Sequence, residues 1–196
     1  MPAAETHTNV AAGRGGHERP AHTLADHSMF PGGQAAMLHR CLSLVVTPAR
    51  DAAGVRVGVT VRADGVGHRV PTGFPDRNLV LTVEAFNAAG QRLAGAGPTL
   101  PPAAGADCAG RPGRLYAKLL CDFDGGAPAP FWRADPEFAD TRLRPGEADE
   151  SAYRFPAAAA RVRARLAYRR FWPAVAAEKG WTDNELVIAE AERPVP

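Results

Sequence analysis

The most constraining feature of this sequence is a strict alternation of apolar and polar residues in one short segment. Valine occupies every second position from Val55 to Val61, and the positions between and after them are Arg56, Gly58, Thr60 and Arg62. Successive side chains of a β-strand point to opposite faces, so a period of two predicts a strand with one buried face and one solvated face. A helix would place its apolar residues three and four positions apart.

Similar short segments recur along the chain and are separated by residues typical of turns. The predicted strands span 42–47, 55–62, 79–86, 91–94, 115–122, 151–155, 161–170 and 185–191. A hairpin turn is expected at 87–90, a helical turn at 34–40 and one short helix at 171–179. This order favours a mainly β fold, namely an immunoglobulin-like antiparallel β-sandwich with one short helix.

Residues 1–33 differ from the rest because they show no hydrophobic periodicity and contain four of the six histidines. A segment of this kind cannot build a core of its own. We therefore predict an irregular, His-rich N-terminal arm over 1–33 and a β-sandwich domain over 34–196.

Composition excludes several classes of partner. The formal net charge is only +2, which gives no electrostatic argument for nucleic acid or an anionic membrane. No stretch approaches the roughly 18 apolar residues of a transmembrane helix. An arginine-rich segment does occur, but its charges alternate with apolar residues, which predicts the solvated face of a strand. These arginines are Arg161, Arg163, Arg165, Arg169 and Arg170.

The first 21 residues lack the apolar core of a secretory signal peptide. Two expectations stay open, a cytosolic protein or a sequence that begins downstream of a leader.

The three cysteines do not form a zinc motif or a disulfide scaffold. Cys108 and Cys121 flank a loop and could close a disulfide, which would stabilise the fold by about 3 kcal/mol in an oxidising compartment. Cys41 lies in an apolar run and is predicted to be a buried free thiol. No CxxCH sequence is present, which excludes the usual covalent attachment of c-type haem within these residues.

Enzyme motifs are missing as well. The sequence contains no phosphate-binding glycine loop, no HExxH and no GxSxG, so we expect no catalytic activity. Asp140 and Arg142 are predicted to tie a loop to the sheet through a charge-assisted hydrogen bond. The remaining large aromatic residues are interpreted as anchors of the core or of loops, and they are Phe131, Trp132, Phe171, Trp172 and Trp181.

A histidine in a stiff turn is the strongest candidate for a site. Pro71 and Pro75 restrict the backbone of the segment 67–77, and Gly67 and Gly73 permit angles that other residues avoid. Such a turn would hold His68 in one orientation, as haem or metal ligation requires. The alternative is an ordinary turn histidine that caps a strand or bonds a backbone carbonyl.

Two further histidines, His22 and His27, lie five positions apart in the arm. Without regular structure this spacing fixes no geometry. If the arm returned over the sandwich, it could bring one of them near His68.

Short motifs of distinctive composition are spread between residues 22 and 192. They comprise Asp26–Gln34, Met37–Leu38, the turn at 67–77, Leu115–Lys118, Phe131–Arg133, Asp140–Leu143 and Pro145–Glu147. Together they resemble the C-terminal β-rich region of multihaem c-type cytochromes, the tetrahaem cytochrome-like family, without its CxxCH-bearing half. The GHxxPTG sequence of the turn is the most specific of these motifs.

The resemblance implies an accessory role in electron transfer. In that family, histidines distant in sequence complete bis-histidine coordination, so His27 and His68 would be axial ligands to haem iron, with His22 a further candidate. The haem would be supplied by a multihaem c-type cytochrome or a similar redox partner, in the periplasm or outside the cell. The alternative is a cofactor-free structural or protein-binding β-sandwich, in which the histidines bind metal only weakly.

Overall fold

The computed structural model describes residues 8–9, 13–20, 23 and 32–196. The chain divides into two compact units, Met1–Arg40 and Cys41–Pro196, whereas the sequence predicted a boundary between residues 33 and 34. Helix α1 spans Gly32–Cys41 and begins just before the predicted helical turn. None of the helices in the described residues is both long and apolar enough to cross a membrane.

The unit Cys41–Pro196 contains nine strands and a second helix, α2, at Pro173–Glu178. One antiparallel sheet has the strand order β1-β2-β7, and the other has the order β6-β5-β3-β8-β9, with β4 paired to β3. The strands are β1 Leu42–Asp51, β2 Gly54–Ala63, β3 Asn78–Phe86, β4 Arg92–Leu93, β5 Gly113–Asp122, β6 Ala134–Asp140, β7 Ala148–Phe155, β8 Arg161–Arg169 and β9 Glu185–Pro194.

The core forms from the apolar faces of these strands. On β2, the alternating valines from Val55 to Val61 are at most 1% exposed, and Arg56 and Arg62 face solvent. On β3, Leu79 and Leu81 are fully buried. The predicted period of two is therefore confirmed, and with it the mainly β, antiparallel β-sandwich.

One strand was missed by the sequence analysis. Strand β6 lies at the end of the six-stranded sheet and pairs only with β5 among the described strands. It contains Pro136, which cannot donate a backbone hydrogen bond and is tolerated at a sheet edge. The proline and the neighbouring acids Asp135 and Glu137 hide the strand pattern. The described residues also form two α-helices, where one short helix was expected.

The arginine-rich strand β8 carries a row of ion pairs. Arg163 contacts Glu84 at 2.7 Å, and Arg161 contacts Glu192 at 2.8 Å, both between neighbouring strands. Their half-exposed side chains fit the predicted solvated face. Arg169 does not, because it is only 6% exposed and donates to Glu185 at 2.7 Å. Its guanidinium is buried with a charged partner, as a buried cation requires.

All three cysteines are free thiols in the structure. The predicted disulfide between Cys108 and Cys121 is therefore not formed. Cys108 is buried in a small apolar cluster with Leu100 and Trp172, and its thiol donates to the carbonyl of Ala104 at 3.1 Å. The Cys108 side chain therefore packs within this cluster, with its thiol bonded to the backbone.

Candidate functional site

The turn that contains His68 is the loop between β2 and β3, residues 64–77. Its middle is fixed by Val70, whose backbone N–H and C=O both pair with Leu143 at 2.9 Å. The Val70–Pro71 peptide bond is cis, and Pro71 is buried. The loop is thus attached to the segment between β6 and β7.

The second half of the loop folds around Gly73. This residue has φ +84°, a conformation that glycine adopts without strain, and a Cβ at this position would lie only 2.7 Å from Nη1 of Arg77. Arg77 also donates to the carbonyl of Thr72 at 3.2 Å, and its backbone N–H donates to Phe74 at 3.1 Å. The turn is therefore held by its own side chains and backbone.

The loop enters β3 through Asp76 and Asn78. The amide of Asn78, which is fully buried, donates to the backbone carbonyl of Asp76 at 2.9 Å. Asp76 is itself 9% exposed, and burial raises the pKa of its carboxyl group. The end of the loop that enters β3 is consequently held by a buried hydrogen bond.

His68 is exposed at the start of this loop, and its ring has a defined hydrogen bond. Nδ1 lies 3.2 Å from the backbone oxygen of Arg69. A carbonyl oxygen only accepts, so this contact requires the proton on Nδ1 and leaves the lone pair on Nε2. Ligating histidines are oriented by this same kind of second contact. The geometry agrees with both interpretations of the turn and fits an iron ligand through Nε2.

The other predicted ligands, His22 and His27, lie outside the described residues. Within the part of the chain that the structure describes, no group of three or more His, Cys, Asp or Glu could hold a metal ion.

A polar cavity of about 280 Å³ lies beside the loop, which contributes Arg69 to its lining. One wall is built on Asp140, whose carboxylate accepts two hydrogen bonds from Arg142, both at 2.8 Å. Arg69 also contacts Asp140, at 3.2 Å. The hydrogen bonds from Arg142 and the charges of both arginines lower the pKa of Asp140 to about 2. The predicted pair of Asp140 and Arg142 is confirmed.

The opposite wall of the cavity comes from β5 and β7. Asp149 accepts a hydrogen bond from the hydroxyl of Tyr116 at 2.7 Å and pairs with Arg114. Burial and the charge of Asp149 raise the pKa of Tyr116. These contacts hold Arg114 at the cavity with its carboxylate partner.

Five aromatic side chains form an exposed group, here called the aromatic cluster. Its members are Phe74, Phe131, Trp132, Phe171 and Trp181. Phe74 lies in the loop and touches Phe131 and Phe171, with ring centres 5.6 and 6.2 Å apart. Trp132 is 70% exposed, so the cluster is a surface feature. The prediction of core anchoring holds for Trp172, which is 3% exposed.

Sequence reasoning located the His68 turn but missed four residues around it, namely Phe74, Arg114, Tyr116 and Asp149. Arg114, Tyr116 and Asp149 come from β5 and β7, which are distant from the loop in sequence. Phe74 lies within the turn motif, and its flanking glycine and proline were the only signal that it would be presented at the surface.

The chain is similar in sequence and structure to a penta-heme cytochrome c552 from Thermochromatium tepidum. The two share 31% identity with a TM-score of 0.70. The match covers 98% of this chain and 47% of the cytochrome, so this chain spans about half the length of that protein. No family model and no curated protein sequence matches the chain. The structure therefore has a multihaem cytochrome-related fold.

Proposed function

We propose that this chain is an accessory β-sandwich of a multihaem electron-transfer system and that it supplies His68 as an axial ligand to a haem held by a partner. The observation that carries the proposal is the match of nearly the whole chain to half of a penta-heme cytochrome c552. Because this sequence has no CxxCH, covalently attached haem would have to come from another chain or domain.

The local geometry of the loop supports this role. A bound haem supplies the iron and the redox chemistry, and the protein sets the axial ligand and the surroundings. His68 would contribute Nε2, since Nδ1 faces the carbonyl of Arg69. The pairing of Val70 with Leu143 would keep that ring in place during docking. His27 is a second candidate ligand from the arm.

The aromatic cluster gives the second half of the same loop an apolar surface. Exposed aromatic side chains with fixed mutual contacts bury a large area on binding at little cost in conformational entropy. We propose that the partner is a multihaem c-type cytochrome, or a similar redox protein, in the periplasm or outside the cell. The role of the chain in this proposal is ligation and docking, without catalysis of its own.

The test uses an acetylated haem undecapeptide, which carries one histidine ligand and leaves the sixth position of its iron open. The wild-type protein is titrated into this peptide and followed by visible absorption, alongside His68→Ala and His27→Ala. His17→Ala is the matched control, because His17 is an exposed histidine of the arm that is not among the proposed ligands. We expect a low-spin bis-histidine spectrum with wild type and His17→Ala, and at least tenfold weaker binding with His68→Ala.

Equal binding by all four proteins would contradict ligation by either histidine. Loss of the spectrum in His27→Ala alone would overturn the assignment to His68. Absence of any low-spin spectrum would argue against the haem role and favour the cofactor-free module. Thermal unfolding of each variant shows whether the fold is intact, and we expect little change because His68 is an exposed side chain.

A further inference from the structure

The cavity beside the loop that contains His68 has an excess of positive charge. Four arginines line it, Arg69, Arg114, Arg142 and Arg144, together with three acids, Asp140, Glu147 and Asp149. One positive charge is therefore left over, in a site whose guanidinium groups are gathered from the loop, from β5 and from the segment before β7. A cavity with converging cationic donors attracts anions.

The acids in the cavity hold the arginines in position. Asp140 is shared between Arg142, which makes two hydrogen bonds, and Arg69, which contacts it through Nη1 at 3.2 Å. Asp149 likewise holds Arg114. Arg69 and Arg114 are each more than one-third exposed. Their guanidinium groups are thus pre-oriented and still within reach of a ligand.

The chemistry of these donors suits a carboxylate. Guanidinium presents several N–H donors in a planar fork that matches two carboxylate oxygens, and a bound carboxylate would also neutralise the excess charge. Arg69 follows His68 directly in the chain, and Leu143 in the cavity wall is paired with Val70. The imidazole and the cavity are therefore carried by one fixed piece of backbone.

We propose that this cavity binds the propionate carboxylates of the haem whose iron is ligated by His68. This inference rests on the proposed function and adds to it a second point of attachment. Arg69 and Arg114 would contact the carboxylates, and Asp140 and Asp149 would keep these arginines in place. No electron or proton transfer is assigned to the cavity.

The test measures binding of carboxylates at the cavity in the absence of iron ligation. Metal-free deuteroporphyrin IX carries both propionates and cannot be ligated by histidine, and its fluorescence reports binding to the full chain. We expect Arg69→Gln and Arg114→Gln to weaken binding at least fivefold, and Arg69→Lys to weaken it less because the charge is kept. His68→Ala should weaken binding less than Arg69→Gln does, because this porphyrin has no iron for the imidazole to ligate. Glutarate, a small dicarboxylate, should compete.

Arg62→Gln is the matched control, since Arg62 is an exposed arginine paired with Asp64 outside the cavity. Equal affinity of wild type and Arg69→Gln would overturn the inference, even if the haem peptide is ligated by His68. Arginine-dependent binding of the porphyrin without ligation of the haem peptide would support an anion site and overturn the role of His68. Arg69 is the decisive position because its side chain is more than one-third exposed, and thermal unfolding of Arg69→Gln shows whether the fold is intact.

Discussion

Arg142 holds Asp140 with two parallel hydrogen bonds, in which Nε and Nη2 donate to different carboxylate oxygens at 2.8 Å each. The two residues are only two positions apart and belong to the turn that leaves β6. Arg69 approaches the same carboxylate from the His68 loop, so Asp140 connects this loop to the turn after β6. Loss of the Asp140 carboxylate should therefore affect both folding and ligand binding.

The first prediction concerns acid stability. The pKa of Asp140 is about 2 in the folded protein, mainly because of the hydrogen bonds from Arg142, and an unfolded aspartate has a pKa of about 3.9. A lowered folded pKa contributes stability above about pH 4, and this contribution is lost as the pH falls toward about 2. After solvent screening we expect it to amount to about 1 kcal/mol.

Urea unfolding of wild type and Asp140→Asn at pH 6 and pH 3 measures this contribution. The difference in unfolding free energy between the two proteins should shrink at pH 3. Asp64→Asn, which removes an exposed carboxylate paired with Arg62, is the control. A difference that stays constant between the two pH values would refute the assignment to Asp140.

The second prediction concerns Thr141, whose hydroxyl connects the turn after β6 to the backbone of β5. The hydroxyl donates to the carbonyl of Leu115 at 2.7 Å and accepts from the backbone N–H of Ala117 at 3.1 Å. Thr141→Val keeps the shape but removes both bonds, and it should lower the unfolding free energy by about 1–3 kcal/mol. Thr141→Ser keeps the hydroxyl and should lose much less. Similar losses in both variants would indicate that packing, and not the hydroxyl, matters.

The strands were predictable wherever burial imposes a pattern. Val55 to Val61 alternate because one face of β2 lies in the core, and the same holds for Val162, Ala164 and Leu166 on β8. At the sheet edge this constraint weakens. Strand β6 escaped prediction because Pro136 and its acidic neighbours can occupy an edge strand without disturbing other pairings.

The candidate site was predictable only where it is local in sequence. The turn around His68 is encoded by adjacent prolines and glycines, and the pair of Asp140 and Arg142 by its short spacing. The contact of Arg69 with Asp140 depends on how β2 and β6 are placed by the whole fold. No periodicity in the sequence indicates such a contact, so the cavity could be identified only from the structure.

The third prediction concerns close approach of the backbone at Gly113. A Cβ at this position of β5 would overlap the carbonyl oxygen of Leu81 and the side chain of Leu100. Gly113→Ala should therefore destabilise the fold by about 2 kcal/mol or more. Gly58→Ala is the control, because a Cβ there would meet only the oxygen of Thr47 at 3.8 Å. Thermal unfolding distinguishes them, and equal melting temperatures would show that β5 can shift.

The fourth prediction concerns the aromatic cluster. Phe74 links Phe131 to Phe171, so Phe74→Ala should disrupt the apolar surface proposed for docking and weaken binding of the haem undecapeptide several-fold. Phe123→Ala is the matched control, since Phe123 is 75% exposed and has no ring contact with the cluster. If both variants bound like wild type, the cluster would have no part in docking of this probe.

The fifth prediction concerns thiol reactivity. Burial raises the pKa of the Cys108 and Cys41 thiols, which disfavours the reactive thiolate, whereas Cys121 is only half-buried. In the native protein we expect Cys121 to react first with Ellman's reagent, and the fast phase to disappear in Cys121→Ser but to persist in Cys108→Ser. Unfolded protein prepared without reductant should expose three thiols. A count of one would instead reveal a disulfide between Cys108 and Cys121, and would require the loops around them to close further than in this structure.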